Sequence, residues 1–214
     1  MPTFTFRDEY GQWRQQQIAD PSAAPPKPQP PTYLAGLDIG QRDDWTALAV
    51  VRQEAERGLL LVALERVRHK PYPEIARLVA DTVAELGSCT LLVDVTGVGR
   101  PICDQLTELG IRHTRISIHG GSTIGRLDDD TLTVPKRDLI SALVVGFESG
   151  RLKIARGLKH AATLEREAGS FQMKLSASGH DSYSARENEH DDLLLAVSLP
   201  VWQAGRPVRQ TYVY

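Results

Sequence analysis

The segment Tyr33-Leu34-Ala35-Gly36-Leu37-Asp38-Ile39-Gly40 is an apolar run with a carboxylate near its end. Two further motifs share this property, Leu92-Val93-Asp94-Val95-Thr96-Gly97 and His190-Asp191-Asp192-Leu193-Leu194. The first two motifs are typical of buried strands and the third of a helix start. A charge at such positions costs several kcal/mol unless something compensates it. Three such motifs therefore predict a shared divalent cation, Mg²⁺ or Mn²⁺, held by carboxylate oxygens.

The spacing of the strands predicts how the first two motifs meet. Tyr33–Gly40, Trp45–Gln53 and Leu59–Arg68 are separated by turns too short for crossover helices, which indicates an antiparallel meander. A helix starts at Pro73, and the fully apolar run Cys89–Val95 is typical of a buried parallel strand. A right-handed crossover places this strand beside the first. Asp38 and Asp94 then lie on neighbouring strands, about 4.8 Å apart.

Three predictions concern the rest of the chain. The glycine-rich, acidic stretch His119–Thr133 is expected to form a long mobile loop. Phe171–Leu175 and Ser182–Arg186 flank a turn and are expected to pair as a hairpin. The last helix, Asp191–Trp202, is expected to be interrupted near Pro200 and to bring Asp191 or Asp192 to the site from its first turn.

The chain is predicted to have three parts. Residues 1–32 are expected to form a flexible arm with a proline-rich linker, Ala23–Pro31, and a short polar helix within Tyr10–Ala19. Residues 33–204 are expected to form one α/β domain, and residues 205–214 a loose tail.

Composition excludes several classes of protein. The formal net charge of -2 excludes a strongly basic DNA-coating protein, although not an enzyme with local basic patches. No apolar run is long enough for a membrane span, and no signal-peptide core is present, so a cytoplasmic protein is expected. Cys89 and Cys103 have no metal-binding or disulfide spacing and are expected to be reduced core residues.

Taken together, the motifs resemble those of a known family. The order of elements is similar to the ribonuclease H-like fold, and the motifs resemble the C-terminal nuclease domain of phage terminase large subunits. The resemblance covers roughly Tyr33 to Ala204. Besides the three acidic motifs, the matching segments are Asp44-Trp45-Thr46-Ala47, Val98-Gly99, Thr133-Val134-Pro135-Lys136-Arg137-Asp138-Leu139-Ile140, Gly150-Arg151-Leu152 and Tyr183.

The resemblance implies a metal-dependent DNA endonuclease that cuts concatemeric viral DNA during packaging. In the two-ion mechanism that it implies, Asp38 bridges two Mg²⁺ or Mn²⁺ ions, while Asp94 and Asp192 hold one each. Asp191 has two possible roles, since an aspartate at a helix start either caps backbone N–H groups or joins the ligands. Implied partners are double-stranded DNA and a separate packaging ATPase, portal or small terminase subunit, with no membrane.

One departure from the family is clear. Terminase large subunits combine an ATPase that drives DNA with the nuclease that follows it. This chain, however, has no G-x-x-x-x-G-K-[ST] phosphate loop. The nearest glycine cluster, Gly120–Gly125, lacks the lysine. The chain is therefore expected to be a stand-alone nuclease subunit or a domain excised from a larger protein.

Basic residues in three regions are candidates for phosphate contacts, which give affinity without sequence specificity. Lys136 and Arg137 stand at a predicted helix start, where a solvated helix end is the alternative. Ordinary solvated surface charge is the alternative for the remaining candidates, which are Arg66, Arg68, His69 and Lys70 in one group and Arg151, Lys153, Arg156 and Lys159 in another.

Three other functions compete with this one. A Holliday-junction resolvase has a similar fold, but such enzymes usually carry a glutamate at the second acidic position, where this chain has Asp94. An actin-like sugar kinase also starts with a motif like Asp38-Ile39-Gly40, but it needs a duplicated domain. The non-enzymatic alternative is a catalytically silent domain that docks DNA or a motor subunit.

Overall fold

The computed structural model describes residues 3–7, 11–17, 30–40, 44–54, 58–178 and 191–206. The chain divides into two units, Met1–Pro30 and Pro31–Tyr214. In the first unit, β1 (Thr3–Arg7) pairs antiparallel with β2 (Trp13–Gln17). The polar helix predicted within Tyr10–Ala19 is therefore wrong, since pairing with the Thr- and Phe-rich β1 selects the strand. The proline-rich stretch 23–29 and the tail from residue 207 lie outside the described residues.

The second unit begins with the predicted meander. β3 (Tyr33–Asp38), β4 (Thr46–Gln53) and β5 (Leu59–Val67) pair antiparallel in chain order. α1 (Tyr72–Leu86) starts after Pro71 and ends at Gly87, which has a φ of 72°. β6 (Cys89–Asp94) then returns parallel to β3 as its neighbour. The predicted crossover is thus confirmed.

The remaining elements extend the sheet and cover its faces. They are α2 (Gly99–Glu108), β7 (His113–His119), β8 (Gly125–Arg126), β9 (Thr131–Pro135), α3 (Lys136–Glu148), β10 (Leu152–Ile154), α4 (Ala161–Ser178) and α5 (Asp192–Gly205). The strand order is β10-β5-β4-β3-β6-β7-β9-β8, with both parallel and antiparallel pairs. This mixed sheet flanked by helices confirms the predicted ribonuclease H-like architecture.

Three local predictions differ from the structure. The stretch His119–Thr133 is not a long loop, because it contains β8 and the start of β9, which pair antiparallel. Phe171–Leu175 continues α4 instead of forming a strand, since a short alternation of apolar residues does not distinguish the two. Its predicted hairpin partner, Ser182–Arg186, lies outside the described residues. Finally, α5 runs without interruption through Pro200.

The packing of α5 on the sheet places the acidic ends of these elements together. α1 and α2 pack on one face against Leu37, and α5 packs on the other face against β3, β4 and α3. A Cβ atom at Gly36 would overlap the Ala196 carbonyl oxygen, so only glycine allows α5 to approach β3 this closely. Since Gly36 is two residues before Asp38, this contact brings the first turn of α5 to the end of β3.

Cys89 and Cys103 are free thiols. Among the described residues, no helix combines the length and apolar character needed to cross a membrane.

Candidate active site

Backbone register determines which side chains share one face at this edge of the sheet. Asp38 lies opposite Ala47, and Ala47 lies opposite Arg66 on the next strand. On the other side, Leu37 pairs with Val93, so the next step along both strands places Asp38 beside Asp94. Residues directly opposite one another project to the same face. The row therefore carries a cation and two carboxylates, with the small Ala47 between Arg66 and Asp38.

Asp94 ends β6 as a buried carboxylate, only 7% exposed. The Thr96 backbone N–H donates a hydrogen bond of 2.8 Å to its Oδ1. Burial raises the pKa of Asp94, while the Thr96 hydrogen bonds and the charge of Lys136 oppose that rise. The turn after β6 thus orients the carboxylate without neutralising it.

Asp38 is the centre of the cluster. Its pKa is raised well above the ordinary value of 3.8, first by burial and then by the negative charges of Asp94, Asp191 and Asp192. Lys136 is the cation that opposes this rise. The geometry agrees with these effects, because β6 is the neighbour of β3 and α5 packs against Gly36, two residues before Asp38. The structure therefore brings all four predicted aspartates together.

The two aspartates at the start of α5 pair with different basic side chains. Asp191 precedes the helix, and the Lys136 ammonium donates a hydrogen bond of 2.7 Å to its Oδ2. Asp192 is the first helical residue, only 6% exposed, and Arg66 Nη2 donates a 2.6 Å hydrogen bond to its Oδ1. The Asp191 side chain makes no capping bond to its own helix. The structure therefore shows Asp191 paired with Lys136 and not capping its own helix.

Four anionic side chains from three elements match the oxygen ligands that Mg²⁺ and Mn²⁺ prefer. Among the described residues, no three His, Cys, Asp or Glu side chains converge closely enough to form a metal site as they stand. The ion pairs explain this arrangement, since Lys136 and Arg66 hold the two α5 carboxylates. The donor chemistry fits a divalent cation, which would compete with these two side chains for the same oxygens.

Sequence reasoning missed one acidic residue of the site, Glu167 on α4. It is 8% exposed, lies 3.5 Å from Arg66 through Oε1, and accepts a 3.1 Å hydrogen bond from Leu194 N–H through Oε2. Burial, and next the charge of Asp192, raise the pKa of Glu167 to about 7, against the effects of the Leu194 amide and Arg66. Its position three residues after the buried Leu164 was the available signal, because that spacing puts both on one helix face.

Arg66 links these groups from the end of β5. Its side chain is only 11% exposed and contacts both Asp192 and Glu167. The guanidinium also lies 4.5 Å from the centre of the Trp45 ring. Such stacking restricts the guanidinium to one plane. The sequence predicts a phosphate contact for Arg66, whereas in the structure its guanidinium forms ion pairs with two buried carboxylates.

The other basic candidates are distributed over both edges of the sheet. Lys136 lies within the carboxylate cluster, and Arg68 is exposed beside Trp45, 5.5 Å from its ring. Lys70 pairs with Glu74 on the surface, and Arg137 donates to the Ser122 carbonyl oxygen at 3.0 Å. The structure does not bring Arg151 and Lys153 to this edge. Arg151 and Lys153 lie beside the start of β5, seven residues or about 23 Å along the strand from Arg66.

Two grooves open at opposite edges. A groove of about 300 Å³ lies at the carboxylate edge, on the α1 face of the sheet, and its lining includes Gly40, Arg68 and Lys70. A larger groove of about 600 Å³ lies at the start of β7, lined by Arg112 and Arg126 among others. Neither lining includes any of the four carboxylates, so we place the chemistry at the carboxylates themselves, at the same edge as the smaller groove but on the α5 face of the sheet.

Solved structures share this fold. The magnesium-bound large terminase nuclease of thermophilic phage G20c has a TM-score of 0.63 at 22% identity, over 84% of this chain and 83% of that one. The P22 large terminase nuclease domain has a TM-score of 0.54 at 13% identity, over 80% of each chain. The HK97 bacteriophage large terminase has 0.52 at 12% identity, over 82% of this chain but 40% of that one. No family model and no curated protein matches the sequence. The chain has the fold of large terminase nucleases.

Proposed function

We propose that this protein is a divalent-metal-dependent endodeoxyribonuclease that cuts concatemeric viral DNA during genome packaging. The observation that carries the proposal is that Asp38, Asp94, Asp191 and Asp192 stand at the ends of three elements that meet at one edge of the sheet. A fold needs a reason to keep four acidic side chains at one edge of its sheet, because the charges of three of them oppose the ionisation of the fourth, Asp38. The shared fold with terminase nucleases, one of them solved with bound magnesium, supports a metal-dependent nuclease as that reason.

We assign the ligand roles as follows. Asp38 would bridge two cations, Asp94 and Asp192 would hold one each, and Asp191 would contribute beside Asp192. When bound, such cations activate a water molecule and stabilise the leaving 3′ oxygen of a phosphodiester. The raised pKa of Asp38 means that its carboxyl group keeps a proton at pH values where an exposed aspartate has lost it. Cation binding would therefore release a proton and strengthen as the pH rises.

Basic residues at the same edge would position the DNA backbone. Lys136 is already among the carboxylates, and its ammonium would turn to a phosphate once cations take its place at Asp191. Arg68 and Lys70 line the adjacent groove, and Arg137 stands next to Lys136. We keep Arg151 and Lys153 as weaker candidates, because they lie beside the start of β5. Contacts of this kind would give affinity without sequence specificity.

The proposed context is a packaging machine. The sequence has no G-x-x-x-x-G-K-[ST] loop, so ATP hydrolysis would come from a packaging ATPase, either on a separate chain or in another part of a larger protein. A portal or small terminase subunit would then supply the choice of cutting site, since no segment of the sequence resembles a base-reading helix. The site of action would be the host cytoplasm, where viral DNA is packaged.

The deciding experiment is cleavage of closed circular plasmid by the purified protein with Mn²⁺, Mg²⁺ or EDTA. We expect nicked and then linear products with either metal and none with EDTA, because closed circles offer no ends to an exonuclease. Asp38→Asn should remove cleavage, whereas Asp81→Asn, an exposed aspartate on α1, should leave it unchanged. Full cleavage by Asp38→Asn would refute the ligand assignment.

Two further measurements separate the competing functions. A synthetic four-way junction added to the same reactions tests for a resolvase, which would cut the junction in preference to linear duplex. Calorimetric titration with Mn²⁺ tests for a silent docking domain, which would bind the metal or DNA without cleaving. Cleavage of plasmid and linear duplex with no preference for the junction is the result that the packaging nuclease requires.

A further inference from the structure

The start of α5 is capped by a residue of another helix. An aspartate in the position of Asp191 ordinarily accepts a hydrogen bond from the backbone N–H two or three residues later. Here its carboxylate goes to Lys136 instead, and no side-chain cap comes from Asp191. Asp192 is engaged by Arg66. Asp191 therefore does not satisfy the first amides of its own helix.

Glu167 supplies the missing acceptor. Its Oε2 accepts a hydrogen bond of 3.1 Å from the N–H of Leu194, the third residue of α5. This is the amide that an N-cap side chain normally satisfies. The bond is buried, and Glu167 is 8% exposed, so water competes little for either partner. An acidic group at this helix end is also favoured by the helix dipole.

The second oxygen of Glu167 faces Arg66, 3.5 Å away. Arg66 in turn lies 2.6 Å from Asp192 and stacks on Trp45. One side chain on α4 therefore contacts both the backbone of α5 and the arginine that orients Asp192. The contact ties the first turn of α5 to the end of β5, where the row containing Asp38 begins.

We propose that Glu167 is a positioning residue, which caps α5 from α4 and thereby leaves Asp191 and Asp192 to face Asp38 and Asp94. This inference rests on the proposed function, because the two aspartates are assigned there as metal ligands. Without Glu167, Leu194 N–H loses its partner, and Asp191 stands at the N-cap position whose carboxylate ordinarily accepts from that amide. Asp191 would then turn back to cap its own helix and leave the cluster.

The test compares two variants of nearly equal size. Glu167→Gln keeps an oxygen that accepts the Leu194 bond, whereas Glu167→Met keeps the bulk and removes the acceptor. Glu165→Gln, on the exposed side of the same helix, is the matched control. Mn²⁺ alone is titrated into each protein by calorimetry, and plasmid cleavage is followed at saturating Mn²⁺.

We expect Glu167→Met to bind Mn²⁺ about tenfold more weakly, as for other residues that orient ligands, and Glu167→Gln to stay within about threefold of the wild type. The kcat of Glu167→Met for plasmid should fall while its KM for DNA stays the same, because α4 offers no DNA contact in this proposal. Wild-type Mn²⁺ affinity in Glu167→Met would overturn the inference. Equal losses in the Gln and Met variants would also overturn it, since charge rather than capping would then be responsible.

A measurement on the wild type keeps the proposal testable if Glu167→Met does not fold. Hydrogen exchange of the Leu194 amide should be slow for a residue in a first helical turn, because its N–H is bonded and buried. Fast exchange would overturn the capping role. The proposed function has its own control: a wild type that neither binds Mn²⁺ nor cleaves plasmid refutes both proposals, whereas an active wild type with an unaffected Met variant refutes only this one.

Discussion

Replacing Asp38 with Asn should stabilise the metal-free protein while it removes cleavage. The pKa of Asp38 is raised well above 3.8 in the folded protein, so folding favours its protonated form. Its contribution to stability is therefore fully present below about pH 4 and is lost as the pH rises through the folded-state pKa. Asn has the same shape and no charge, so the variant should not suffer this loss.

The size of the effect follows from the register of the strands. Asp38 and Asp94 lie on neighbouring strands, and two unit charges about 5 Å apart repel by about 3 kcal/mol at an effective dielectric constant of about 20. Lys136 offsets part of this repulsion. We therefore expect Asp38→Asn to gain about 1–2 kcal/mol in free energy of unfolding at about pH 8 in EDTA. For a chain of this size, that is a rise of roughly 3–6 °C in Tm.

Thermal unfolding in EDTA at about pH 3.5 and about pH 8 measures the effect. The Tm values of the wild type and Asp38→Asn should be close at the lower pH and diverge at the higher one, while Asp81→Asn follows the wild type at both. Added Mn²⁺ should reverse the order at the higher pH, because only the wild type gains the binding energy. A variant less stable than the wild type in EDTA, or a Tm difference independent of pH, would refute the reasoning about crowded carboxylates.

Three further predictions test the surroundings of the cluster. Arg66→Leu should lower the free energy of unfolding at neutral pH by about 3–5 kcal/mol in urea denaturation, because it leaves buried carboxylates without their shared cation; a loss below about 1 kcal/mol would contradict this. Gly36→Ala should cost at least about 2 kcal/mol in the same assay, since its Cβ would overlap the Ala196 carbonyl oxygen, whereas Gly120→Ala, with open space around it, should cost little. Because burial, and next the charge of Asp192, raise the pKa of Glu167 from 4.5 to about 7, the wild type should lose stability relative to Glu167→Gln as the pH rises between those values, and a constant difference would count against the burial of this carboxyl group.

The central part of the fold could be predicted because its signals are local. Apolar alternation, short turns and the glycine at position 87 define the meander, α1 and β6, and the right-handed crossover leaves one arrangement for β6 beside β3. The convergence of Asp38 with Asp94 follows from that arrangement. Short segments with mixed signals were harder to predict. At Trp13–Gln17 strand pairing outweighs the local pattern, and at Phe171–Leu175 the continuation of α4 does.

The sequence by itself determined which elements carry the four aspartates and at which end of the sheet they lie. Only the tertiary structure decided that Lys136 engages Asp191, that Arg66 engages Asp192, and that Glu167 caps α5. Arg66 and Asp192 are 126 residues apart in the chain, and Glu167 and Leu194 are 27 apart. No local pattern specifies a partner at such separations, because the contact exists only when α4 and α5 pack beside β5 and bury the charges together.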